Sequence, residues 1–235
     1  MSSEYAIEFE NVWKKYSKAQ VFHNSLRDEI VEVLSFRKFN KELREDEFWA
    51  LQGIDFSIKK GECVGLYGPN GSGKSTILKH IANVTYPTRG NVKVNKKVAP
   101  LIELGAGFHH DLTGRENIMM NGTILGMSIK DLRLRQEEII DFSGLQDFID
   151  VPVKKYSSGM YLRLAFSIAI HSRAETFLFD EVLTVGDDDF QGKCLGKITD
   201  LKDVGKTVII VSHDLENIKK ITNRIIYLNK GMLVA

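Results

Sequence analysis

The octapeptide Gly68-Pro69-Asn70-Gly71-Ser72-Gly73-Lys74-Ser75 constrains this chain more than any other feature, because few folds give those residues a physical use in that order. It follows Cys63-Val64-Gly65-Leu66-Tyr67, which reads as a buried strand, and the residues from Ser75 to Val84 carry a helical pattern. A glycine-rich loop between strand and helix lets main-chain N–H groups turn inward toward phosphate oxygens. The helix N-terminus adds partial positive charge, Lys74 reaches the β- and γ-phosphates of a nucleotide, and Ser75 is placed to ligate Mg²⁺. Gly68, Asn70, Gly71, Ser72, Gly73 and the following Thr76 complete the candidate phosphate-contacting set. The implied fold class is α/β, of the phosphate-loop nucleoside-triphosphatase kind.

Two more apolar runs have the look of strands in a parallel sheet, each ending in polar residues. Phe177-Leu178-Phe179 leads into Asp180-Glu181, and strand ends in such sheets face the ligand crevice. Asp180 is there to hold Mg²⁺ directly or through water, and Glu181 to orient or deprotonate the attacking water. Val208-Ile209-Ile210-Val211 is followed by His213, which is placed to hydrogen-bond a γ-phosphate. The other histidines, His23, His80, His109, His110 and His171, read as structural.

Around these lies a recognisable order of elements. Phe9 to Tyr16 opens with a strand, and a charged stretch from Ser17 to Glu47 then interrupts like an insertion. Inside it Ser25-Leu26-Arg27-Asp28 is a capping-box start, and Leu26, Ile30, Val33 and Leu34 share one helical face. Leu51 to Ile58 alternates as a half-buried strand, and Gly90 to Leu101 reads as a hairpin. Helical signal dominates from about Gly105 to His171, with a second capping pattern at Ser128-Ile129-Lys130-Asp131 and a break at Pro152. Ile225 to Leu228 is a final strand.

Composition matters mainly for what it excludes. A formal charge of +1 gives no field-driven attraction to nucleic acid or anionic lipid, so any phosphate site must be local. Two cysteines, Cys63 and Cys194, make no disulfide framework and no zinc spacing. No stretch approaches the roughly 20 apolar residues of a membrane span, so a transport role would need a pore in another chain.

Tyr156-Ser157-Ser158-Gly159-Met160, ahead of a helical run through Leu162, Leu164, Ala165, Ile168 and Ala169, is similar to the signature of ATP-binding cassette proteins, where Leu-Ser-Gly-Gly-Gln is commonest. Ser157 and Gly159 match; Tyr156, Ser158 and Met160 depart. With Leu104-Gly105-Ala106-Gly107-Phe108, Thr113-Gly114-Arg115-Glu116-Asn117 and Asp180-Glu181-Val182-Leu183-Thr184-Val185-Gly186-Asp187, the chain resembles bacterial exporters of O-antigen, capsule or teichoic-acid polysaccharides.

That resemblance implies a single ABC ATPase domain over residues 1–235: a RecA-like core with a mixed sheet, an antiparallel β-subdomain and an inserted helical subdomain. The β-subdomain and nucleotide core take 1–104 with the insertion at 17–48, the helical subdomain about 105–171, and the core resumes over 172–235. It implies ATP and Mg²⁺ as ligands and a head-to-tail homodimer, with ATP gripped by the phosphate loop of one copy and Ser157, Ser158 and Gly159 of the other. Asp187 matches the interface aspartate, Tyr16 is the candidate for stacking on adenine, and Glu103 stands nearest to where the family has a Gln linking the nucleotide to the transmembrane partner, with a carboxylate able to meet Mg²⁺ or water.

The implied partners are two membrane permease subunits for two ATPase subunits, with a lipid-linked polysaccharide as indirect substrate and no nucleic acid, at the cytoplasmic face of the bacterial inner membrane. The insertion helix either touches permease or membrane, or packs on the cassette. Similar exporters sometimes append a carbohydrate-binding β-domain, which is either absent from this protein or lies past Ala235. The competing readings are a soluble cassette ATPase of DNA repair or translation, and a small GTPase. Asn229-Lys230-Gly231 lacks the Asp of a guanine-reading segment.

Overall fold

The computed structural model describes residues 4–17, 43, 45–95, 97–102, 104–180, 186–212 and 215–234. The expected insertion helix at Leu26 to Leu34 lies outside them. Two sheets organise the rest. The first is antiparallel, with strand order β2-β1-β4, from β1 (Tyr5–Ser17), β2 (Glu47–Lys59) and β4 (Arg89–Val94). The second has the order β5-β6-β7-β3-β8-β9. Its members are β3 (Cys63–Tyr67), β5 (Val98–Leu101), β6 (Thr176–Asp180), β7 (Thr207–Val211), β8 (Arg224–Asn229) and β9 (Met232–Val234). Its pairings are parallel except β8 with β9.

The uniformly apolar central strands follow from burial on both faces. Along β7, Ile209 and Val211 join a core with Ile7, Leu51, Ile54 and Ile77, between the two sheets and helix α1 (Lys74–Ile81). Val208 and Ile210 point the other way, to Phe166, Phe177, Phe179 and Phe190. Period-two alternation therefore delivers every second residue to a different core, and both must be apolar.

A third core belongs to the helical layer of α2 (Gly114–Ile124), α3 (Ile129–Ser143) and α4 (Ser158–Ile170). Leu164, Ala165 and Ile168 of α4 pack there against Leu132, Ile139 and Ile140. Phe166, Ala169 and Ile170 of the same helix pack on the sheet. An amphipathic helix needs one apolar stripe; α4 needs two, which accounts for its unbroken apolar run.

Short polar residues set the helix starts. Thr113 forms a reciprocal capping box with Glu116, whose carboxylate accepts from the Thr113 amide at 2.8 Å. Ser128 accepts from the Asp131 amide, Ser157 from Met160, and Asp187 from Phe190 at the start of α5 (Asp188–Asp203). A short helix α6 (Leu215–Ile221) precedes β8.

The hairpin expected over Gly90 to Leu101 does not form. β4 pairs with β1 in the first sheet, whereas β5 pairs with β6 in the second. Val92 and Val94 pack on the inter-sheet core, while Ala99 and Leu101 belong to the core beyond the second sheet, so the segment crosses between layers. Pro100 is tolerated because β5 is an edge strand. The first strand runs longer than expected, and α1 stops three residues short of Val84, with Asn83 at φ 58° beyond its end.

Despite the long excursion between them, β1 and β2 stay paired to their ends, with Ser17 opposite Glu47 and Lys15 bonded to Glu47 at 2.8 Å. The entropy of closing a long loop rises only slowly with its length. Cys63 and Cys194 are buried free thiols, pushed up by burial to about 11 and about 12, and so serve as core packing.

Candidate functional site

The site is built where β3 leaves the second sheet. Cys63 to Leu66 are buried, and the chain then turns through residues 68–73 into α1. Gly71 at φ 76° and Gly73 at φ 106° adopt the left-handed conformation that L side chains resist. Gly68 is fixed for a different reason: a Cβ there would lie 2.1 Å from the Leu228 carbonyl oxygen and 2.8 Å from Ser72 Oγ. The loop is thus pressed against β8, and the Gly231 amide bonds to the Ser72 carbonyl at 3.0 Å to close the packing.

This loop gathers donors of the kind an anion accepts from. Ile77 makes the first intrahelical bond of α1, to Gly73, so the amides of Lys74, Ser75 and Thr76 lack partners within the helix. No acidic residue in the first turn offsets the helix dipole. Lys74 is buried, and its ammonium donates to the carbonyls of Gly68 at 2.7 Å and Pro69 at 3.0 Å. Ser72 is 1% exposed and its Oγ has no partner among the described residues. An ammonium, oriented amides and an orphaned hydroxyl in one loop suit phosphate oxygens.

In front of the loop opens a cleft of about 780 Å³, lined by Asn70 to Thr76, Tyr16, Phe48, Trp49, Ala50, Gln52, Asp180 and Lys230. Tyr16 arrives at the far end of β1 directly opposite Phe48, their ring centroids 6.2 Å apart, and Lys14 Nζ stands 4.9 Å from the Tyr16 ring centre. Asp180 ends β6 in register with Val211, which is in register with Leu66 of β3. Two strand spacings, about 10 Å, therefore separate its backbone from the strand that feeds the loop. The lining of the cleft combines aromatic residues with a carboxylate and a serine hydroxyl.

The donors fit Mg²⁺. Among the described residues no three His, Cys, Asp or Glu side chains gather as a protein-only metal cage. Mg²⁺ instead takes one or two protein oxygens together with phosphates and water, and Ser75 and Asp180 on one cleft are hard oxygen donors of that kind.

Other expected site residues lie elsewhere. Ser157, Ser158 and Gly159 sit at the start of α4, with both serines exposed, and do not line the cleft. Asp187 caps α5, also away from the cleft, with its carboxylate 3.8 Å from Arg163. Glu103, Glu181 and His213 lie outside the described residues. Sequence reading missed Phe48, Trp49, Gln52 and Lys230. Gln52 donates to the Lys230 carbonyl at 3.0 Å, and its own amide to Gly231 at 2.8 Å, tying β2 to the β8–β9 turn beside the loop. Only the aromatic pair directly after the insertion carried a signal, and it gained meaning through its pairing with β1.

Comparison with known proteins agrees with this architecture. The family model described as ABC transporter matches residues 51–184. An O-antigen export system ATP-binding protein, RfbB, of Klebsiella pneumoniae is 40% identical over 98% of this chain and 92% of its own length. The RfbB protein of Myxococcus xanthus is 50% identical over 73% of this chain, which spans 39% of that relative's length. The teichoic acids export ATP-binding protein TagH of Lactiplantibacillus plantarum is 38% identical over 100% of the chain and 62% of its own. Among solved structures, the dimeric ATP-binding cassette MJ0796 in a post-hydrolysis state with ADP and Pi superposes with a TM-score of 0.75 at 25% identity, covering 97% of both chains. The strand–loop–helix anion site, the two-sheet architecture and these matches lead to one conclusion: the chain belongs to the ABC transporter family.

Proposed function

We propose that this chain is the ATP-binding and ATP-hydrolysing subunit of a transporter that exports a lipid-linked polysaccharide of the O-antigen, capsule or teichoic-acid type. The observation that carries the reading is one cleft lined by the phosphate loop, Tyr16 and Asp180. Its aromatic rings, ammonium and carboxylate are groups that suit a base, a triphosphate and a hydrated cation. The export assignment rests on the names of the RfbB and TagH relatives.

In this reading the amides of residues 71–76 and the Lys74 ammonium orient the β- and γ-phosphates, and Tyr16 stacks on adenine. Mg²⁺ would be held by Ser75 and Asp180, with Glu103 the further proposed ligand, and would supply charge neutralisation on the phosphates. Glu181, directly after Asp180, orients the attacking water and takes its proton, and His213 donates to the γ-phosphate. Ser157, Ser158 and Gly159 lie at an exposed helix N-terminus, the place where a second copy would offer amides and dipole to the same phosphate. Asp187 would sit at that homodimer interface. Closure on ATP and release after hydrolysis then drive two permease subunits.

Among the described residues no helix is long and apolar enough to cross a membrane, which fits a subunit docked on the cytoplasmic side of a separate permease. The alternative of a DNA- or ribosome-acting ATPase draws no support from the charge balance or the relatives. The test is Mg²⁺-dependent ATP turnover by the purified chain, followed by co-purification with its membrane partner. Stimulation by lipid-linked glycan is the expected result; no turnover, or stimulation by DNA or ribosomes instead, would discard the proposal.

A further inference from the structure

The connection that leaves β5 enters the helical layer through residues 104–110, and it is held there by three side chains. Asn121 donates to the Ala106 carbonyl at 2.9 Å, and Asn117 bonds both ways with the His109 backbone, at 2.8 and 3.1 Å. The third is Tyr161, whose hydroxyl donates to the Gly105 carbonyl at 2.8 Å. That carbonyl also accepts from the Phe108 amide at 3.0 Å, so one oxygen receives both the turn of the loop and the tyrosine.

Contact at Gly105 is closer than hydrogen bonding alone requires. A Cβ on Gly105 would fall 2.1 Å from Tyr161 Cε1, so the ring lies where any other residue would put its side chain. Phe108 packs beside it at 4.8 Å between centroids, and His110 stacks at 6.4 Å with 20° between planes. Tyr161 itself belongs to the first turn of α4, where its amide bonds to the Ser157 carbonyl at 3.0 Å. Burial raises the phenol's pKa, so at neutral pH it remains the donor that the Gly105 carbonyl needs.

We infer that Tyr161 is a positioning residue for ATP turnover: it joins the loop that follows Glu103, at Gly105, to the first turn of the helix that carries Ser157, Ser158 and Gly159. The inference rests on the proposed function, since it links the strand-end connection of one nucleotide site to the helix N-terminus offered to the other. A shift of the connection when nucleotide is bound passes to that helix turn through the ring, which is both bonded to and in close contact with Gly105. Phenylalanine would keep the packing and lose the bond, leaving the Gly105 carbonyl with one partner.

The test compares the full chain with its Tyr161→Phe variant in three measurements. Expected are a melting temperature lower by no more than about 4 °C, a KM for ATP within about twofold of the parent, and a kcat lower by about five- to tenfold, the size of one lost hydrogen bond. Hydrogen exchange with ATP bound should speed up across residues 104–108 while the rest of α4 keeps its protection. Parent-like kcat in the folded variant overturns the role, as does a loss of turnover that tracks a lower melting temperature with exchange spread over α2, α3 and α4. Absence of ATP hydrolysis in the parent overturns both readings, whereas normal turnover in the variant removes only Tyr161.

Discussion

The Lys74 ammonium is bonded at 2.7 Å to the carbonyl oxygen of Gly68, the residue that opens the loop Lys74 closes. The two bonds described for this buried ammonium go to neutral carbonyls, and an anionic phosphate would accept from it more strongly. Lys74→Ala should therefore weaken ATP binding by at least about tenfold, the lower end for a hydrogen bond to a charged group. Titration calorimetry with the folded variant measures this, and parent-like affinity would contradict the phosphate-loop role.

Glu181→Gln should retain ATP affinity while lowering turnover by about a hundredfold or more, the usual contribution of a positioned base. The variant should accumulate as a dimer with ATP on size-exclusion chromatography. Unchanged steady-state hydrolysis would remove Glu181 from the chemistry.

Tyr16→Ala should weaken ATP binding by about five- to a hundredfold, corresponding to roughly 1–3 kcal/mol of base stacking. Inorganic triphosphate, which has no base, should bind the variant and the parent alike. Equal loss for both ligands would mean that Tyr16 shapes the loop rather than meeting the base.

Folding stability should fall with acid through His80. Its Nδ1 lies 2.9 Å from the Thr85 carbonyl and so carries the proton, while the buried Nε2 has no partner among the described residues. Burial lowers its pKa from 6.5 to about 4, with Lys14 adding to the effect. As pH drops below 6.5 the unfolded chain takes up the proton first, so the stability present above 6.5 is lost progressively toward pH 4, about 3 kcal/mol in all. His171 is lowered too and contributes with the same sign. Urea unfolding across this range should give a shallower pH dependence for His80→Gln than for the parent; identical slopes would refute the assignment.

Much of the site was legible because its determinants are local. Gly71 and Gly73 announce left-handed backbone, Lys74 follows them, and Ser157 and Ser128 cap the helices that their side chains start. Such preferences act within three or four residues, and a linear reading captures them. The apolar runs in β6 and β7 likewise announced strands buried on both faces.

Pairing partners were not legible. Nothing near residues 90–101 says that the first half joins β1 and the second half β6, since either arrangement satisfies the same alternation. Phe48 and Lys230 acquired a role only through contacts with residues far away in the chain.

By itself the sequence determined the backbone chemistry of the phosphate loop and the elements on either side, because local conformational preference and charge act between neighbours. Tertiary structure decided that Tyr16, Asp180 and Lys230 share one cleft with that loop, since burying both faces of the second sheet fixes strand order, and strand order fixes which strand ends and turns meet.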